Sequence, residues 1–72
     1  MKTVYDDLSN YESFVVQKAS RYRITVWHFI NAGDSEGALK EAYKVLSEED
    51  IDPEKAWEDY NEELINPKPW GN

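Results

Sequence analysis

The sequence predicts a small α+β domain: a short antiparallel β-hairpin over about 13–17 and 21–30, packed by two helices over 35–47 and 53–65. Three observations predict it. Residues 21–30 are dense in strand formers, clean helical periodicity sets in after Gly33, and Asp52-Pro53-Glu54 carries a strong helix-start signal. An all-α bundle of three or four helices is the alternative the residues leave open.

The segment before Tyr11 is compatible with a short helical turn around Tyr5–Ser9. In the hairpin, Phe14-Val15-Val16 supplies the first strand. The second is favoured because seven of the ten residues 21–30 are β-branched or aromatic, a composition with poor helix propensity. Alternation places Tyr22, Ile24, Val26, His28 and Ile30 on one face, with Trp27 and Phe29 on the other. The intervening Lys18-Ala19-Ser20 lacks the Gly, Asn or Asp of tight hairpin turns. The competing all-α reading rests on Val4, Leu8, Tyr11, Val15, Ala19, Tyr22, Val26 and Phe29, which recur at three-to-four spacing, with Gly33 ending a helix.

From Ser35, residues Ala38, Leu39, Ala42, Tyr43, Val45 and Leu46 form an apolar stripe, with Asp34 or Ser35 as cap and Glu36 suited to the helix dipole. Gly37 in the first turn costs about 1 kcal/mol relative to alanine. The next helix has Asp52 at the N-cap, Pro53 at the first position and a stripe of Ala56, Trp57, Tyr60 and Leu64. Pro67 and Pro69 end it. The expected organisation is one domain over 1–66 and an extended tail over 67–72.

Composition narrows the function classes. A chain of 72 residues buries only roughly 60% of its unfolded surface, which leaves little room for an internal active site. Without cysteine there is no disulfide, thiol nucleophile or thiolate zinc site. The N-terminus meets Asp6 and Asp7 before any apolar stretch, unlike a signal peptide, and the longest uncharged run, Ile24 to Gly33, is ten residues. That is short of the ~20 needed to span a bilayer, so a cytoplasmic protein without membrane contact is expected.

The net charge of −7 is unevenly spread. Residues 1–33 carry four cations against three acids, residues 34–72 four against twelve. Within Glu48–Glu63, nine acids meet only Lys55. Such a surface repels phosphate, so direct nucleic-acid binding is not expected, and Lys18, Arg21 and Arg23 are too few for a binding groove.

No constellation points to catalysis. His28 is the single histidine, and no motif places a partner beside it. Asp50-x-Asp52-x-Glu54 opens like a calcium loop, but its sixth position is Lys55 and its twelfth Asn61, where glycine and a bidentate glutamate belong. No enzyme, metal or cofactor is expected.

The stretch Ile30–Ala42 resembles the strand-to-helix junction of small α+β proteins and is similar there to the small phage-encoded inhibitors of bacterial RNA polymerase. Read as Gly33-Asp34-x-Glu36-x-Ala38-Leu39, it also resembles the inter-helix turn of a tetratricopeptide repeat, present here in one copy. No functional residue is carried over from either. Small acidic phage inhibitors that mimic nucleic acid, tools of host takeover, resemble the chain in size and charge.

The expected function is therefore a non-enzymatic interaction protein, an inhibitor or modulator that meets a basic, nucleic-acid-handling protein. Its expected contact residues are Glu48, Glu49, Asp50, Glu54, Trp57, Glu58, Asp59, Glu62, Glu63 and Trp70, with aromatic anchors inside an acidic rim. The alternative is a structural or adaptor subunit acting through an aromatic face at Trp27 or Phe29, as a homodimer.

Overall fold

A computed structural model describes residues 3–65. It is all-α over these residues: a 3₁₀ turn at Val4–Asp7, then α1 (Asn10–Ser20), α2 (Ile24–Asn31), α3 (Ser35–Glu48) and α4 (Pro53–Ile65). The predicted hairpin does not form. Residues 13–17 lie inside α1, and most of 21–30 lies in α2.

Two physical facts overturn the strand reading. Ser9 and Glu12 close a capping box, with the Glu12 N–H donating to Ser9 Oγ at 3.2 Å and the Ser9 N–H to Glu12 Oε1 at 2.9 Å. That start signal commits the chain to a helix before the β-branched residues arrive. Burial then follows the helical period. Val15 and Val16 are adjacent and both fully buried, whereas successive strand residues point to opposite faces. On α2, Val26 is buried while Ile24 is 69% exposed, although alternation would have put them together. Tertiary burial outweighs a β-propensity scale that spans only about 1 kcal/mol.

The core is built from α1, α2 and α3. Val15, Val16 and Ala19 meet Val26 and then Ala38, Ala42, Val45 and Leu46. α3 packs on both α1 and α2, while the principal contact of α4 is with α1. Three of these buried side chains are alanines, which let the helix axes approach closely. Leu46 is the largest side chain fully removed from solvent.

The connections are short and chemically specified. α2 ends in a Schellman motif: Gly33 adopts φ 74°, its N–H donates to the Ile30 carbonyl at 3.1 Å, and the Asp34 N–H reaches the Phe29 carbonyl at 3.0 Å. Asp34 then caps α3 by accepting from the Gly37 N–H at 2.9 Å. The resemblance to a strand-to-helix junction is thus corrected, because these residues join two helices. Gly37 has its own reason. A Cβ there would stand 2.4 Å from Asp34 Oδ2 and 2.7 Å from the Phe29 ring.

α3 ends in the same way, with Asp50 at the position Gly33 holds. Asp50 has φ 58°, its N–H donates to the Ser47 carbonyl at 3.2 Å, and the Ile51 N–H donates to the Leu46 carbonyl at 2.9 Å. Ile51 packs on the core cluster to which Leu46 belongs, where this motif places its apolar residue. Asp52 then accepts from the Glu54 N–H at 3.0 Å and α4 begins. The predicted starts of α3 and α4 agree with these caps.

Candidate protein-interaction surface

The structure divides the acidic run 48–63 into residues that serve the fold and residues that do not. Glu48 and Glu49 flank the end of α3 and both reach Arg23, which precedes α2. Glu48 pairs with Arg23 Nη1, and Glu49 lies 3.7 Å from Nη2. This is a surface pair of modest worth. It nonetheless takes two of the expected contact residues and removes Arg23 from the basic cluster. Asp50 terminates α3, and Asp52 caps α4. Asp50, Asp52 and Glu54 therefore act at a helix end and a helix start.

Glu54, Glu58, Asp59, Glu62 and Glu63 are all exposed on α4. None makes an ion pair with another described residue. Their spacing is costly: Glu54 and Glu58, Glu58 and Glu62, and Asp59 and Glu63 are like-charged pairs four residues apart, where such neighbours repel. Glu62 and Glu63 also stand in the last turns, where the helix dipole disfavours anions and α4 has no basic residue. Lys55 is the helix's own cation, four residues before Asp59, and it too forms no ion pair among the described residues.

Trp57 is half-buried and structural. Its ring meets Tyr11 edge-on at 5.7 Å and Phe14 at 5.2 Å, and Tyr60 packs on Phe14 at 5.1 Å and on Trp57 at 5.9 Å. Aromatic pairs at these distances add roughly 0.5–1.5 kcal/mol each beyond area burial. These rings hold α4 on α1, since no described side chain of α4 is buried. Tyr60 keeps 44% of its surface in solvent. Trp70, the remaining expected anchor, lies outside the described residues, as does the tail 67–72.

Tyr11, at the edge of this cluster, has its phenol pushed up to about 12, first by burial, then by its hydrogen bond with Tyr43, and further by the charges of Tyr43, Glu54 and Asp52. His28 is exposed on α2; its carbonyl accepts from the Ala32 N–H at 3.0 Å, and its imidazole makes no hydrogen bond to a described residue. Among the described residues no group of three His, Asp or Glu side chains is placed to hold a metal ion, and no helix is long and apolar enough to cross a membrane.

Phe29, expected on an outward aromatic face, instead packs against the core. Sequence reasoning missed the part α1 plays. Tyr11, Phe14, Lys18 and Arg21 recur at three-to-four spacing and line up toward α4, a stripe visible only once 11–21 is read as a helix. Comparison of the chain with protein-family models, with curated proteins and with solved structures gives no match in any of the three.

Proposed function

We propose that this chain is a small acidic, non-enzymatic interaction protein whose helix α4 binds a basic surface on another protein, such as one that handles nucleic acid, and modulates or inhibits it. One observation carries the reading. The five acids of α4 are exposed, lack counter-ions among the described residues and each stand four residues from a like charge, and Glu62 and Glu63 also stand against the helix dipole. Local arrangements that work against stability are expected where function requires them. A basic partner would relieve that repulsion on binding and would be steered toward the helix over long range.

The test begins with capture of a partner from a candidate host lysate and measurement of its affinity across salt concentrations. Binding should weaken steeply with salt. It should fall at least about tenfold when Glu58, Asp59, Glu62 and Glu63 become Gln, Asn, Gln and Gln. Unchanged affinity would overturn the reading.

The adaptor alternative draws on a separate observation. Tyr22, Ile24 and Trp27 are 47%, 69% and 45% exposed around the start of α2. It requires a mass that rises with concentration in sedimentation, and loss of that rise in Ile24→Lys.

A further inference from the structure

An open groove of ≈ 890 Å³ runs between α1 and α4. Phe14, Trp57, Tyr60 and Leu64 form its apolar lining, with Lys18 and Arg21 on the α1 side and Asp59 and Glu63 on the α4 side. These four charged groups make no ion pair with one another or with any other described residue. Leu64 is 64% exposed, so an apolar side chain stands unshielded between two walls of opposite charge.

We propose that this groove receives an amphipathic helix of the basic partner. That helix carries Lys or Arg along its edge facing Asp59 and Glu63, carboxylates along its edge facing Lys18 and Arg21, and large apolar residues over Tyr60 and Leu64. The proposal rests on the reading of α4 as a basic-partner surface and adds the partner's shape.

Three physical points select this occupant. The α1 side of the groove is lined at 10, 13, 14, 17, 18 and 21, the three-to-four ridge spacing into which another helix packs. A β-strand would need a sheet edge for its backbone groups, and the described residues contain no strand. A helix satisfies its own backbone. Finally, a helix charged alike on both edges meets one repelling wall, so the two walls select a helix with edges of opposite sign.

The experiment is an NMR titration of the full chain with three designed helical peptides of about four turns that share one leucine stripe. Their edges are Lys/Glu, Lys/Lys and Glu/Glu. The Lys/Glu peptide should bind at least about tenfold more tightly than the other two, with amide shifts confined to 10–21 and 56–64. Leu64→Asp should weaken it at least about tenfold. Asp59→Lys with Glu63→Lys should invert the preference toward the Glu/Glu peptide.

Equal binding of the three peptides, shifts centred on Ile24 and Trp27, or tighter binding of an extended proline-rich peptide would each overturn the proposal. So would self-association through the groove in the absence of peptide. Glu58 and Glu62 lie outside the groove lining. A captured partner sensitive to Glu58→Gln and Glu62→Gln but indifferent to Leu64→Asp would therefore sink the groove and leave the acidic surface standing, while indifference to both would sink the two together.

Discussion

Converting Glu58, Asp59, Glu62 and Glu63 to their amides should strengthen the fold while weakening partner binding. Three like-charged pairs four residues apart disappear, each relieving roughly 0.2–0.5 kcal/mol. Removing two anions from the last turns of α4 adds about 0.3–1 kcal/mol apiece at low ionic strength. Loss of the attraction between Lys55 and Asp59 offsets about 0.3 kcal/mol of this. The net is a stabilisation of ~1–3 kcal/mol, equivalent for a domain of this size to a rise of roughly 4–24 °C in Tm. Circular dichroism melts at low salt measure it. Trp57 fluorescence, read with Trp27 and Trp70 replaced by Phe, provides a local check, because its ring sits on Tyr11 and Phe14 and reports whether α4 stays docked. The difference from the parent chain should shrink as salt is raised, since exposed charges are screened within about 8 Å at physiological ionic strength. A variant that melts at or below the parent temperature at low salt would refute the claim that these acids work against the fold, and with it the observation on which the functional reading stands.

Gly37→Ala, which helix propensity alone would call stabilising by about 1 kcal/mol, should instead lower stability by about 1–2 kcal/mol, because the new methyl displaces the Asp34 cap and crowds Phe29. Denaturant unfolding decides the sign, and the penalty should shrink in an Asp34→Ala background, where half of the clash is gone. Leu46→Ala empties the largest buried site and should cost about 2–5 kcal/mol, enough to unfold much of a 72-residue domain at 37 °C, about physiological temperature, as read by amide dispersion in NMR. Alkaline pH should destabilise through Tyr11. Its folded phenol holds the proton up to about 12 against an ordinary 10.0, so its contribution is intact below pH 10.0 and is lost as pH rises toward 12. Absorbance titration should show a late-ionising tyrosine that vanishes in Tyr11→Phe.

Those predictions depend on positions whose legibility in the sequence differs for physical reasons. The starts of α3 and α4 could be read because Asp34, and Asp52 with Pro53, are capping residues whose chemistry is local. α1 announces itself just as locally, through Ser9 and Glu12, yet the density of β-branched residues that follows argues for a strand. Propensity reports what a side chain costs in isolation. Val15, Val16 and Val26 sit in helices because burial against Ala38, Ala42 and Leu46 outweighs that cost, and those partners lie many residues away. The same long-range dependence hid the surroundings of Trp57. Its stripe with Tyr60 and Leu64 was plain, but its ring partners Tyr11 and Phe14 belonged to a segment read as hairpin.

The acidic run illustrates a further limit of charge patterning. Read as a string, its nine acids are equivalent, and a count alone would assign them all to one surface. Geometry sorts them by what each would lose on substitution. Glu48 and Glu49 hold Arg23, Asp50 supplies the left-handed residue that ends α3, and Asp52 starts α4. Their conversion to alanine would be felt in the fold with no partner present. Glu54, Glu58, Asp59, Glu62 and Glu63 have no such structural employment beyond the favourable placement of Glu54 in the first turn. Function is therefore best sought where an amide substitution leaves folding intact or improves it. That criterion moves the centre of the candidate surface away from the α3–α4 turn and toward the outer face and C-terminal half of α4, alongside the groove it shares with Lys18 and Arg21.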